Sequence, residues 1–143
     1  MKKFYSFAAL AAIAAAFVFM ITGCSPKVAG SIEKEQIPEV HPEYAVIYFY
    51  RTGNYVKTPY DVHLNNEVVY RSKNKTKAAV KVYTAGEYEI WGKSESRECL
   101  KLKVEMGKEY YVKTFVHFGV AIWRPSIELR DAVTGKAEYD SIN

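Results

Sequence analysis

The distribution of apolar and polar residues divides the chain into three segments. Residues 4–21 carry no charge, are almost wholly apolar, and have helix-favouring alanine and leucine at their centre. Residues 25–42 are polar, contain three prolines, and show no sustained hydrophobic period. From Tyr44 onward, short apolar or alternating runs are separated by turn residues, which is typical of β-strands.

The third segment contains eight predicted strands. The first is apolar on both faces, which predicts a central position in a sheet. Asn65 and Asn66 predict a two-residue hairpin turn, and Gly86 predicts a second hairpin between the fourth and fifth strands. No run of useful length has a helical period. The predicted strands are residues 45–51, 60–64, 67–70, 78–83, 87–91, 98–105, 109–117 and 127–130.

Strands at this spacing predict an all-β fold, an antiparallel β-sandwich of about seven to eight strands. The sequence divides into a signal peptide over residues 1–23, a linker over residues 24–43 and a sandwich domain over residues 44–143. The prolines of the linker predict a flexible tether of roughly 20 residues that holds the domain away from its anchor.

The first 24 residues predict where the protein goes. Lys2 and Lys3 precede the apolar run, which is typical of a secretory signal peptide. The run is also near the lower length limit for a membrane-spanning helix, so an uncleaved anchor is the alternative. Residues 21–24, Ile-Thr-Gly-Cys, resemble the lipobox of bacterial lipoproteins. The resemblance implies cleavage before Cys24, a thioether-linked lipid on its sulfur and acylation of the new amino group.

Position 25 refines the predicted address. It is serine rather than aspartate, which by resemblance to the sorting pattern of enteric bacteria favours the outer membrane, facing the periplasm. Several acyl chains on Cys24 would anchor the protein stably, because a single chain binds a membrane only marginally.

Composition and charge exclude several classes of protein. Of 143 residues, 49% are hydrophobic, which excludes a disordered chain, and two cysteines are too few for a disulfide scaffold. Without Lys2 and Lys3 the chain has 18 basic and 16 acidic residues, so its net charge falls from +4 to +2. This balance argues against a dedicated nucleic-acid binder.

Three blocks of the third segment resemble the domain of unknown function 2846 family. They are residues 45–51 (Ala-Val-Ile-Tyr-Phe-Tyr-Arg), residues 84–88 (Thr-Ala-Gly-Glu-Tyr) and residues 105–113, which contain Gly-Lys-Glu-Tyr-Tyr. Ala85 stands where the family usually has proline. The resemblance covers roughly residues 44–140 and implies a small lipoprotein with a β-sandwich-like domain, with no catalytic residue to carry over.

The titratable residues offer an alternative function. His63, His117 and Cys99 lie on predicted strands, and Asp61 lies beside His63. A thiol–histidine pair or a metal site is conceivable, but no spacing typical of zinc or thiol enzymes is present. Cys99 shares its strand face with lysines, which predicts a partly exposed spare thiol. We therefore predict neither an enzyme nor a cofactor, with a small metal-binding protein or enzyme as the alternative.

Two further features predict binding surfaces. Trp91, Trp123 and Arg124 are candidates for a peptide or carbohydrate face. Residues 119–125 are predicted to form either a short strand or a covering loop, and residues 123–125 are the first place to look for a site. Arg71, Lys73, Lys75 and Lys77 alternate along the sequence. A solvated hairpin loop is the expected structure, and an extended loop that places four cations on one side, suited to anionic lipid or an acidic polymer, is the alternative. The expected partners are the membrane, through the lipid anchor, and an envelope protein or a glycan.

Overall fold

The protein is a sandwich of two β-sheets, seen in a computed structural model that describes residues 27–28, 43–120 and 122–143. The predicted all-β sandwich is confirmed. Its nine described strands are β1 (Lys27–Val28), β2 (Ala45–Arg51), β3 (Tyr60–Leu64), β4 (Glu67–Ser72), β5 (Thr76–Val82), β6 (Gly86–Lys93), β7 (Arg97–Val104), β8 (Glu109–Phe118) and β9 (Trp123–Arg130).

The strands form one five-stranded and one four-stranded sheet. The first has the order β1-β7-β6-β3-β4 and the second has the order β5-β2-β8-β9. Most pairs are antiparallel, but β1 pairs with β7 and β2 pairs with β8 in parallel. The prediction that the first strong strand is central is confirmed, because β2 lies between β5 and β8.

The hydrophobic core fills the space between the two sheets. Alternate residues of β7, Leu100, Leu102 and Val104, point inward and are buried, as their period of two predicted. Ile47 and Phe49 of β2 and Val112 of β8 contribute from the opposite sheet. Burying a side chain of this size contributes roughly 1.5–3 kcal/mol, so this layer is the main source of stability.

One of the two predicted hairpins is correct. Asn65 has a φ of 53°, a left-handed conformation that asparagine tolerates, and β3 and β4 pair across it. The predicted hairpin around Gly86 is wrong. β5 pairs with β2, whereas β6 pairs with β3 and β7, so residues 83–85 cross from one sheet to the other.

The fold also contains a helix that the sequence analysis missed. Helix α1 (Ala132–Asp140) begins after Asp131, whose side chain accepts a hydrogen bond from the Thr134 amide at 2.8 Å. Its β-branched residues and Gly135 have low helix propensity. The helix is stabilised instead by packing on the outer face of the four-stranded sheet, where Tyr139 contacts Tyr48 and Tyr50.

Strand β1 lies within the predicted linker. It pairs with β7 through Lys27–Leu100 and Val28–Lys101, so part of the expected tether is docked on the sandwich. The signal peptide and Cys24 fall outside the described residues. In the part of the chain that is described, no helix is both long and apolar enough to cross a membrane.

Candidate functional site

Four connections between strands meet at one end of the sandwich, which we call the loop end. They are residues 52–59, 73–75, 94–96 and 119–122. They meet because β2 and β8 run in parallel and both end there, while β5 and β9, antiparallel to them, begin there. The loop end therefore combines residues that are distant in the sequence.

Side-chain hydrogen bonds hold these connections together. Asn74 donates to the Asn54 carbonyl at 2.7 Å, and Asn54 donates to the Val116 carbonyl at 3.2 Å. Ser94 donates to the Trp123 carbonyl at 3.1 Å, and the Trp123 amide donates to the Glu95 carboxylate at 2.6 Å. The first three connections are thus tied to a neighbouring strand or turn, so the loop end is built on a fixed frame.

A buried arginine in the core, Arg51, supports the connection formed by residues 52–59. Arg51 is 0% exposed. Its guanidinium donates to the carbonyls of Val56 and Thr58 and to the Asn54 side chain. Burial lowers the pKa of Arg51, and among the described residues its Nε has no hydrogen-bond partner. The side chain positions residues 54–58 from inside the core and is not itself accessible to a ligand.

The surface of the loop end carries exposed apolar side chains. Val120 is 95% exposed and Tyr55 is 82% exposed. Phe118 is 54% exposed and packs edge-on against Trp123, with 4.8 Å between ring centroids. Exposed apolar side chains grouped on a soluble domain are typical of an interaction surface.

The loop end is also the basic end of the domain. Exposed cations lie in or directly beside its connections, and Glu95 is the acidic residue of the same segments. The cations are Lys57, Lys73, Lys75, Lys93 and Arg97. At the opposite end, the corresponding segments carry Glu67, Glu105 and Glu109 against Lys108. The domain is thus polarised along the strand direction.

Trp123 and Arg124 lie at the loop end, and of the two alternatives predicted for residues 119–125, the strand is correct from residue 123 onward. They begin β9, because they pair with β8 across the Phe118–Trp123 and His117–Arg124 positions. Trp123 points inward and is partly buried against the core, whereas Arg124 is exposed on the outer face. Their suggested binding role stays a prediction.

Trp91 is separated from that pair. It lies on the outer face of the five-stranded sheet, stacked on His63 with ring centroids 3.6 Å apart and an angle of 4°. The Arg97 guanidinium lies 4.3 Å from the Trp91 ring centroid, and Trp91 Nε1 donates to the Asn65 carbonyl at 2.7 Å. His63 and Arg97 come from the strands on opposite sides of β6, so neighbours cover both ring faces and favour a structural role for Trp91.

The residues of the alternative function do not converge. His63 and Cys99 lie on either side of Trp91, two strands apart, which is roughly 10 Å. His117 lies on the outer face of the other sheet, opposite Arg124. Within the described residues no group of three or more histidine, cysteine, aspartate or glutamate side chains could hold a metal ion.

Cys99 differs from its prediction as a partly exposed spare thiol. It is 2% exposed and disulfide-bonded. Its strand pairs with β1 on one side, and Cys99 lies opposite Trp91 of β6 on the other. The sequence contains one other cysteine, Cys24, which lies outside the described residues.

The four alternating cations do not form one strip, and they do not lie in a hairpin loop, because β4 and β5 belong to different sheets. Arg71 belongs to β4 and pairs with Asp61 at 2.7 Å on the outer face of its sheet. Lys77 belongs to β5 in the other sheet and donates to the Ile142 carbonyl near the C-terminus. Lys73 and Lys75 alone remain in the turn, because the chain there changes sheets instead of running extended.

A tyrosine and carboxylate cluster lies under α1, and the sequence analysis did not identify it. Glu138 accepts from Tyr50 and from Lys113, each at 2.7 Å. Burial raises the pKa of Tyr50, and its bond to Glu138 adds to this effect. Burial favours a neutral Glu138, but the bonds from Lys113 and Tyr50 outweigh it and hold its pKa below the usual value. The cluster fastens the helix to the sheet.

Comparisons with protein-family models, with curated proteins and with solved structures give no match for this chain. The resemblance to the domain of unknown function 2846 family therefore stays a prediction.

Proposed function

We propose that this protein is a lipid-anchored lipoprotein of the cell envelope and that its β-sandwich is a non-catalytic binding or structural module. The observation that carries the proposal is the tetrad at residues 21–24, Ile-Thr-Gly-Cys, at the end of an uncharged apolar run that follows two lysines. Small residues before Cys24 suit a peptidase cleft at the membrane surface, and its sulfur suits a thioether-linked lipid.

The separation of the titratable side chains supports the second half of the proposal. Catalysis requires a nucleophile or base, a partner that orients it and a shared space for the substrate. His63 is stacked on Trp91, His117 is exposed on the other sheet, and Cys99 is buried. The exposed apolar and basic groups of the loop end are better suited to binding than to chemistry.

The state of Cys99 sets a condition on the proposal. A cysteine sulfur forms either a thioether to a lipid or a disulfide. Lipidation of Cys24 therefore requires that the mature protein does not pair it with Cys99.

Mass spectrometry of protein isolated from native membranes tests the proposal. We expect a chain that begins at Cys24 and carries a diacylglyceryl thioether and an amide-linked acyl group. A Cys24→Ser variant should lose both, whereas Cys99→Ser should keep them. An unmodified Cys24 still joined to Gly23, or a disulfide between Cys24 and Cys99, would contradict the proposal.

Fractionation of the same cells tests the predicted address. Because Ser25 follows the lipidated cysteine, we expect the protein in the outer-membrane fraction. A Ser25→Asp variant is the matched control and should move to the inner membrane. If the parent protein and the Ser25→Asp variant divide in the same way between the inner and outer membranes, position 25 does not direct sorting.

A further inference from the structure

We propose that the loop end of the sandwich docks on the membrane surface, against anionic lipid headgroups. The inference rests on the proposed lipidation of Cys24. It adds an orientation: Val120, Tyr55 and the lysines beside them face the bilayer, and the acidic opposite end faces away. Three independent features of the domain support this orientation.

The first feature is the direction of β1. It runs parallel to β7, and β7 begins at the loop end with Arg97. The N-terminal end of β1 therefore points toward the loop end. An anchor attached ahead of Lys27 draws this end of the domain, and not the opposite one, toward the membrane.

The second feature is the short distance between anchor and domain. The sequence alone predicts a tether of roughly 20 residues. Because Lys27 already pairs with Leu100, only two residues separate it from Cys24. Even fully extended, the three chain steps from Cys24 to Lys27 span at most roughly 11 Å. With this limit the domain stands against the headgroups instead of moving freely above them.

The third feature is the chemistry of the surface that this short link presents. Val120 and Tyr55 are almost fully exposed apolar side chains. Lys57, Lys73 and Lys75 lie in connections at the same end of the domain, and each basic residue near an anionic membrane is worth about 1 kcal/mol of attraction. The combination of apolar contact and positive charge matches the interface of a bilayer containing anionic lipid.

A fluorescence experiment on the lipidated full-length chain in vesicles of phosphatidylcholine and phosphatidylglycerol tests the orientation. An environment-sensitive fluorophore is attached in a Cys99→Ser background at Val120→Cys or, as the matched control, at Tyr83→Cys. Tyr83 is an exposed residue at the opposite end of the domain. We expect quenching by lipid-borne quenchers at position 120 and none at position 83.

The other outcomes of this experiment contradict the docking. If neither probe is quenched, both lie in water. The loop end then does not contact lipid and is available to a protein partner instead. Equal quenching of both probes would mean that the domain has no preferred orientation. Failure of the proposed lipidation is distinguishable from these results, because mass spectrometry of the labelled protein would then show no acyl groups on Cys24.

Charge variants of the same labelled protein test the electrostatic part. Lys57→Gln combined with Lys73→Gln should lower the docking constant roughly 30-fold, and added salt should weaken docking of the parent protein. The matched control, Lys103→Gln with Lys108→Gln, removes the same charge near the opposite end, which lies more than a Debye length away. Equal losses in the two double variants, or docking that is unaffected by salt, would overturn the proposal.

Discussion

At the scale of single residues, Arg51 stands out because it is a cation inside the core. Arginine is rarely buried without a carboxylate partner. Here backbone carbonyls and one amide oxygen replace the carboxylate, and they all belong to residues 54–58. The residue converts an irregular connection into a fixed part of the loop end, because one fully buried guanidinium bonds to three positions of that connection.

Replacement of Arg51 tests this role. We expect Arg51→Met to lower the free energy of unfolding by roughly 2–4 kcal/mol, because it leaves buried carbonyl acceptors without a donor. The control Arg71→Met makes the same change at an exposed ion pair with Asp61 and should cost less than roughly 1 kcal/mol. Urea unfolding of both variants measures the difference, and equal losses would contradict the assigned role.

At the scale of elements, α1 illustrates a helix that exists because of its docking site. Gly135 faces the sheet so closely that a Cβ atom there would lie 2.3 Å from Tyr111 Cβ. The glycine is unfavourable for the helix itself by roughly 1 kcal/mol relative to alanine. Close packing on Tyr111 is the reason that a glycine suits this position.

A single methyl group at Gly135 should therefore destabilise the protein. Gly135→Ala gains helix propensity but meets Tyr111, and overpacking of this kind costs roughly 1–3 kcal/mol, so we expect net destabilisation. Gly53→Ala is the matched control, because the nearest atoms to its Cβ would be flexible Lys75 atoms at 3.6 Å. Thermal unfolding of the two variants and the parent protein measures the change in melting temperature. A Gly135→Ala protein as stable as the parent would show that the helix can shift away from the sheet.

The Glu138 carboxylate beneath α1 makes the packing of the helix on the sheet depend on pH. Glu138 has a lowered pKa in the folded protein, so its contribution is present above its unfolded pKa of about 4.3 and is lost as pH falls through the lower folded value. Glu138→Gln should reduce the stability lost between neutral and acidic pH. Glu67→Gln, at an exposed glutamate of β4, is the control. Urea unfolding at neutral and at acidic pH measures the free energy of unfolding. If Glu138→Gln loses as much of this free energy on acidification as the parent protein does, the assigned role of Glu138 is contradicted.

At the scale of the whole molecule, buried phenols are distributed through both layers of the structure. Burial, with the Glu109 carboxylate, raises the pKa of Tyr48 to about 12. Burial likewise raises the pKa values of Tyr50 and Tyr111 under the helix and of Tyr60 in the core. These groups stay neutral in the folded protein at pH values at which an unfolded chain has begun to ionise.

Alkaline pH should therefore unfold the protein cooperatively. Unfolded tyrosines ionise near pH 10, so stability is complete below that value and falls as pH rises toward the folded pKa values. Phenolate absorbance should show a steep step that coincides with loss of β-sheet circular dichroism. The same titration in concentrated urea should lack the step. Gradual ionisation without loss of structure would contradict the assigned burial.

Local patterning predicted the fold class and the individual strands, since β2 and β7 have clear periods and faces. It did not predict β1, because two residues have no period, or α1, because Gly135 and its β-branched neighbours disfavour a helix. The separation of β5 from β6 also escaped prediction, since a short connection does not reveal whether two strands share a sheet. At the candidate site, Trp123 and Arg124 were identified, but the burial of Arg51 depends on contacts that only the fold creates.

The pairing of β1 has a practical consequence for any shortened form of the protein. Lys27 and Val28 occupy backbone amide and carbonyl groups of β7 that would otherwise be open to another chain. A recombinant domain that starts at Glu43 would expose these groups beside Leu100 and Lys101 and invite self-association through strand addition. Dimers or aggregates of such a fragment would then reflect the missing N-terminal residues and not the behaviour of the intact protein.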